Sequence, residues 1–205
     1  MIPRNCHITA IAIILFVAMA TSSCGSKNFL VVNYQLPAEP EIPATPSVSL
    51  VIIDSREDPA IVTRTAKTVL KDFHGNFALI VDRENENSRL VGAFSLQSLI
   101  RELFKHRLEN AGVRVASEEE RREMVVEIVL KAFKLDFVER KWVIDMTYQA
   151  NLLEQDRFIA GETITGSAER LRIAGSKEAE KVVGELVTDV VNRLNLNALF
   201  KSDQI

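Results

Sequence analysis

Leu96, Leu99, Ile100, Leu103, Phe104 and Leu108 recur at the spacing of one helix face. Their three- and four-residue steps predict a core-facing helix from about Phe94 to Ala111, with Ser95 placed to cap its start and Gly112 to close its end. A second amphipathic helix is expected where Ala179, Val182, Val183, Leu186, Val190 and Leu194 share a face, capped by Ser176. Between the two helices the period falls to two. Lys141 to Glu154 puts Trp142, Ile144, Met146, Tyr148, Ala150 and Leu152 on one side. Val125 to Val138 alternates through Val126, Ile128, Leu130 and Ala132, then shifts phase to Phe133, Leu135 and Phe137, which reads as a β-bulge. Phe158 to Arg172 follows the turn EQDR and carries threonines, glycines and alternating charge, as an exposed strand does.

Earlier in the chain, Ser47 to Ile53 is a β-branched run that reads as a buried strand, stopped by Asp54, Asp58 and Pro59. Residues Ile61 to Arg83 read as a hairpin about His74, Gly75 and Asn76, although Val62, Ala66, Val69, Leu70 and Phe73 also fit a helix face. Arg83 to Arg89 is a polar loop, and Val113 to Ala116 a short strand. Ser117 and Glu120 have the spacing of a capping box for a brief charged helix. The sum is an α+β fold, a mainly antiparallel sheet with two long helices packed on one face, and the other face meeting water or a partner.

The N-terminus is of another kind. Ile8 to Ala20 is uncharged and almost wholly apolar, behind Arg4 and His7. A membrane-crossing helix needs about 20 apolar residues, so this shorter run reads as a signal-peptide core. Small residues Ala20, Thr21, Ser22 and Ser23 then lead into Cys24. The segment resembles a bacterial lipoprotein signal with its lipobox, with Thr21 where leucine is commonest. That resemblance implies diacylglycerol on the Cys24 sulfur, cleavage before it and acylation of the new amino group. Two or more acyl chains anchor stably where one does not. The other readings of the same stretch are an ordinary cleaved signal and an uncleaved anchor.

Beyond the cysteine, Pro37, Pro40, Pro43 and Pro46 fall at every third position, the period of polyproline II. Residues 24–46 are therefore expected to be a lipidated cysteine with a stiff Pro-rich tether, after a signal peptide at 1–23 and ahead of a single periplasmic domain at 47–205. Phe29 to Val32 has two readings within that tether, lying on the membrane or adding to a sheet edge. With Cys6 lost in the signal and Cys24 lipidated, no cysteine is left for a disulfide, so the domain must stand on its core.

Charge and motif excluded more than they assigned. The chain has 25 basic and 28 acidic side chains, and no basic cluster interleaved with aromatics, which argues against a nucleic-acid partner. No Gly-rich phosphate loop, nucleophile elbow or HExxH occurs, and His74 and His106 lack a second ligand at metal spacing. No cofactor or metal is expected. Carboxylate pairs such as Asp54 with Asp58 and Asp136 with Asp145 are the only material for acid–base work. Trp142 and Tyr148 are expected in the core. Asp54 and Arg56, at a strand end, are candidates for a partner contact or for a turn cap with a surface ion pair.

The lipidated cysteine, the prolines, Asp54-x-Arg56 followed by Pro59, the Ala111–Gly112 pair before a short strand, and the strand meander with its closing helix resemble the YajG-type envelope lipoproteins. The resemblance implies an outer-membrane lipoprotein with its domain in the periplasm. Gly25 and Ser26 lack the aspartate that holds enterobacterial relatives in the inner membrane, which favours the outer membrane. The expected role is non-enzymatic: binding or scaffolding with an envelope protein partner. The alternatives are an accessory or carrier lipoprotein of an envelope transport system, taking a lipid or other apolar ligand between helices and sheet, and a cell-wall hydrolase with a close acid pair.

Overall fold

The computed structural model describes residues 28–38, 47–83, 87–117, 120, 122–173 and 177–201. Cys24, the signal segment, Pro40, Pro43, Pro46 and Ser176 lie outside them, as does most of the expected Ser117–Glu120 helix. The elements run β1 (Phe29–Gln35), β2 (Ser47–Asp54), α1 (Arg64–Val69), β3 (Asn76–Asp82), β4 (Arg89–Phe94), α2 (Leu96–Asn110), β5 (Arg114–Val115), β6 (Met124–Val138), β7 (Lys141–Glu154), β8 (Arg157–Leu171), α3 (Lys177–Asn192) and α4 (Leu196–Lys201).

The strands form two sheets, ordered β1-β3-β4 and β5-β2-β6-β7-β8. Both are mixed, which corrects the expectation of one mainly antiparallel sheet. β1 pairs parallel with β3, and β2 parallel with both β5 and β6, while β3-β4, β6-β7 and β7-β8 are antiparallel. Parallel neighbours need a long crossover, and the chain supplies them: β2 and α1 separate β1 from β3, and α2 lies between β2 and β6. Each of the two long helices touches strands of both sheets. α2 touches β2 and β5 of the larger sheet and β3 and β4 of the smaller, and α3 touches β7 and β8 of the larger and β1 of the smaller.

One core joins these layers. Trp142, Tyr148, Phe77, Phe104 and Phe133 are fully buried. The Phe77 ring meets Phe133 edge-on at 6.0 Å, linking β3 to β6, and Phe104 meets Tyr148 at 4.9 Å, linking α2 to β7. Ser95 caps α2, its hydroxyl accepting from the Ser98 N–H, and Gly112 takes a φ of 88° where the chain leaves that helix. The bulge read in β6 falls between Leu130 and Ala132.

Two segments depart from the sequence reading. Residues 61–83 form α1 and β3 rather than a hairpin. Thr63 caps α1, its hydroxyl accepting from the Ala66 N–H, and the buried Ala66, Leu70 and Phe73 follow the helix spacing that had been the alternative. Asn76–Asp82 is then free to pair with β1 and β4.

The second departure is β1. Phe29–Gln35, placed within the tether with addition to a sheet edge as one of two readings for Phe29–Val32, is the edge strand of the smaller sheet, with Leu30, Val32 and Tyr34 buried. β1 therefore packs in the same core as the strands that follow it. The outer edge of β1 is covered by α3. The Val31 N–H donates to Glu180 Oε1 (3.4 Å), the Gln35 N–H to Thr188 Oγ1 (3.2 Å), and Asn192 Nδ2 to the Gln35 carbonyl (2.8 Å). Side chains of a helix here satisfy backbone groups that an open edge would offer to another strand.

Candidate functional site at the end of β2

Asp54 and Arg56, singled out from the sequence, are joined in the structure. Asp54 is the last residue of β2, and its carboxylate accepts from Arg56 Nε and Nη2, both at 2.8 Å, and from the Arg56 N–H at 3.3 Å. This two-pronged pair is the strong, oriented form of the arginine–carboxylate contact. The Arg56 hydrogen bonds hold the Asp54 carboxyl below its usual range, against the opposing effect of partial burial. The Arg56 side chain is only 6% exposed. Its Nη1 is buried without a hydrogen-bond partner among the described residues.

The surroundings follow from how the chain leaves β2. The Ser55 N–H donates to the Leu130 carbonyl (2.9 Å), and farther on the Thr63 N–H donates to the Leu135 carbonyl (3.0 Å) while the Leu135 N–H returns to Ile61 (2.8 Å). Ser55 to Ala60 is therefore an arch fastened at both ends to β6. Asp58 turns its top by accepting from the Ala60 N–H (2.9 Å), and Lys134 Nζ holds both Asp58 Oδ2 (2.5 Å) and the Ala60 carbonyl (3.0 Å). The Lys134 hydrogen bond lowers the Asp58 pKa. Beneath the arch lies the β6 bulge, and between them a cleft of about 490 Å³ is lined by Ser55–Asp58 and Lys131–Lys134.

The cleft continues onto the outer face of the larger sheet as a chain of polar contacts. Lys131 Nζ donates to Gln149 Oε1 (2.6 Å), Gln149 Nε2 to Asn151 Oδ1 (2.9 Å), and Asn151 Nδ2 to Glu127 Oε1 (2.9 Å). Each amide donates once and accepts once, so the row is fixed end to end.

The carboxylates are not arranged as an acid pair. Asp54 is engaged by Arg56, Asp58 by Lys134, and Asp136 by the Thr63 hydroxyl and the Phe137 N–H. Trp142 and Tyr148 are in the core, and Tyr148 donates to the Val190 carbonyl (3.1 Å). His106 is half-buried on α2, and desolvation pushes its pKa down, with Glu102 and Glu109 opposing. Among the described residues no group of His, Cys, Asp and Glu is placed to hold a metal ion.

Sequence reasoning missed Lys131 and Lys134, whose signal was the phase change itself: a bulge re-aims the side chains on either side of it. It also missed Arg107, fully buried on α2 and close enough to act electrostatically on both Tyr34 and Tyr148, whose hydroxyl pKa values burial raises. Its position after Leu103 and Phe104, at helix spacing, had placed it on the apolar face.

No family model matches the chain, and no curated protein matches it. Among solved structures, a Xanthomonas campestris protein of family DUF330 aligns with a TM-score of 0.50 at 15% identity, covering 85% of this chain and 97% of that one. A minor lipoprotein from Acinetobacter baumannii aligns at TM-score 0.41 and 12% identity, over 76% of this chain and 95% of that one. Rare lipoprotein B from Shewanella oneidensis gives 0.41 and 12%, over 76% and 96%. At its level of identity the Xanthomonas likeness is one of fold alone.

Proposed function

We propose that the chain is a lipid-anchored envelope lipoprotein of the YajG-type group, held at the outer membrane by Cys24 with its domain in the periplasm. Its role is non-catalytic binding, and the cleft under the Ser55–Ala60 arch receives a polar segment of an envelope protein partner. The anchoring rests on the signal segment and the small residues before Cys24. The binding role rests on one observation: Arg56 is nearly buried, locked in orientation by Asp54, and set in a cleft with Lys131 and Lys134 at its wall. A fixed guanidinium with flanking ammonium groups suits carboxylate and carbonyl recognition. Asp54 and Asp58 beside it are each committed to a cation, Arg56 and Lys134.

The experiment is native mass spectrometry of the full-length protein gently extracted from the envelope that made it, beside a variant carrying Lys131→Glu. The Lys131 side chain is exposed, so the variant keeps the core. The expected result is an acylated wild-type chain that brings down a protein, and an acylated variant that does not. A partner retained by the variant would move the binding surface elsewhere. A small apolar molecule in place of a protein would replace this reading with that of a carrier.

A further inference from the structure

The chain enters the fold almost at once. Asn28 is the first described residue and β1 starts at Phe29. An extended chain spans at most about 3.6 Å per residue, so the start of β1 stands within about 18 Å of the Cys24 sulfur's attachment point. The end of the domain that carries Phe29 is therefore the end nearest any lipid on Cys24.

Several elements meet at that end. The Val31 N–H donates to Glu180 in the first turn of α3 (3.4 Å). Arg170 of β8 pairs with Glu185 of α3, while Arg193, just past the end of α3, reaches the Thr165 carbonyl (3.0 Å). α3 thus runs back along β8, and its start lies beside the end of β8 and the start of β1. The β6–β7 turn is there too, since the Arg172 N–H donates to the Arg140 carbonyl (2.9 Å).

This end displays a group of exposed apolar side chains. Val138 is opposite Lys141, and Lys141 opposite Leu171, so the three form one row on one face of the larger sheet. Val138 is 48% exposed, Leu171 61%, and Ile173, two residues on, 87%. Arg140 and Arg172 stand beside these apolar side chains, with Glu139 between Val138 and Arg140, while Lys141 is paired with Glu169 and Arg170 with Glu185. The Arg172 guanidinium lies 5.6 Å from the Phe137 ring centroid, which keeps it at this tip. Those ion pairs offset Lys141 and Arg170, which leaves Arg140 and Arg172 as the cations beside the projecting apolar groups.

We infer that the tip formed by Val138, Arg140, Leu171, Arg172 and Ile173 is a membrane-contact surface, seated on an anionic lipid surface beside the anchor. Apolar side chains entering the acyl boundary with cations at headgroup level is the physics of interfacial binding. The short reach from Cys24 supplies the proximity. The inference rests on the lipid-anchored reading.

The test uses full-length acylated protein in vesicles of phosphatidylethanolamine and phosphatidylglycerol. A polarity-sensitive label is placed through Ile173→Cys or, as control, through Leu90→Cys. Leu90 is 65% exposed and pairs with Ile80, toward the opposite end of the smaller sheet. The expected result is a label at 173 shielded severalfold from a water-soluble quencher and open to a lipid-soluble one, with the label at 90 open to water. Arg140→Glu with Arg172→Glu should return the 173 label to water while the chain still floats with the vesicles. If the acylated, floating wild type leaves 173 as open to water as 90, the contact surface is overturned and the anchor stands. A chain whose intact mass carries no acyl group overturns both. Shielding that rises with protein concentration at fixed lipid overturns the lipid contact in favour of a second copy.

Discussion

Gly184 of α3 lies against Asn33 of β1 so closely that a Cβ on the glycine would stand 2.8 Å from the Asn33 carbonyl oxygen. The partner atom is backbone, fixed in the middle of a paired strand, so it has little room to yield. Glycine is what lets the helix seal the strand edge.

Gly184→Ala therefore sets two effects against each other. In an exposed helix the change stabilises by about 1 kcal/mol through propensity. Here the methyl group must push α3 from β1, and overpacking of that kind costs about 1–3 kcal/mol. The expected outcome is a net loss, read as a lower urea midpoint by circular dichroism. A raised midpoint would mean that α3 and β1 do not touch at this point.

Asp54→Asn removes the anion that holds Arg56. The guanidinium, almost wholly withdrawn from water, would keep at best a neutral acceptor, and an unsatisfied buried group costs about 1–3 kcal/mol. Equilibrium unfolding of the variant should show that loss, and Arg56→Lys, which cannot make the two-pronged contact, should show part of it. The pH dependence has a definite sign. The folded-state pKa of Asp54 is lowered by its bonds to Arg56, so its contribution is complete above the ordinary aspartate value and is lost as pH falls through the lower folded value. In Asp54→Asn that part of the acid-side loss should vanish.

His106 gives a second pH signature in a different window. Burial lowers its folded pKa from 6.5, so in the window below that value the unfolded chain binds the extra proton and stability rises with pH. The unfolding free energy should be steady above about pH 6.5 and fall as pH drops through the folded value. His106→Gln should flatten this slope in urea titrations across the range. A wild-type slope unchanged by the substitution would place the titrating group elsewhere.

The sequence carried the local structure better than the pairing. Elements with a single strong period were legible: α2 with its Ser95 cap and Gly112 exit, β7 with its clean alternation, and the β6 bulge. Residues 61–83 were not, because Val62, Ala66, Val69 and Leu70 satisfy a helix while the run after Gly75 suits a strand, and both elements are present where one hairpin had been expected. Parallel pairing left no mark either. β1 and β3 are joined by register across an intervening strand and helix, and periodicity speaks only of which side of a strand is buried. The prolines drew Phe29–Gln35 into a tether, although Leu30, Val32 and Tyr34 alternate as buried strand residues do. Asp54 and Arg56 were found because they share one short stretch. Lys134, 76 residues from Asp58, could join them only through the fold.

The placing of β1 has a consequence for biogenesis. It is the first strand among the described residues, yet one flank is supplied by Asn76–Asp82 and the other by Lys177–Asn192. A polypeptide that emerges N-terminus first carries Leu30, Val32 and Tyr34 without these partners until Lys177–Asn192 has appeared, an interval in which an unsealed strand invites aggregation. α3 acts as a latch on that strand, and its loss would leave the edge of β1 open to pairing with another chain.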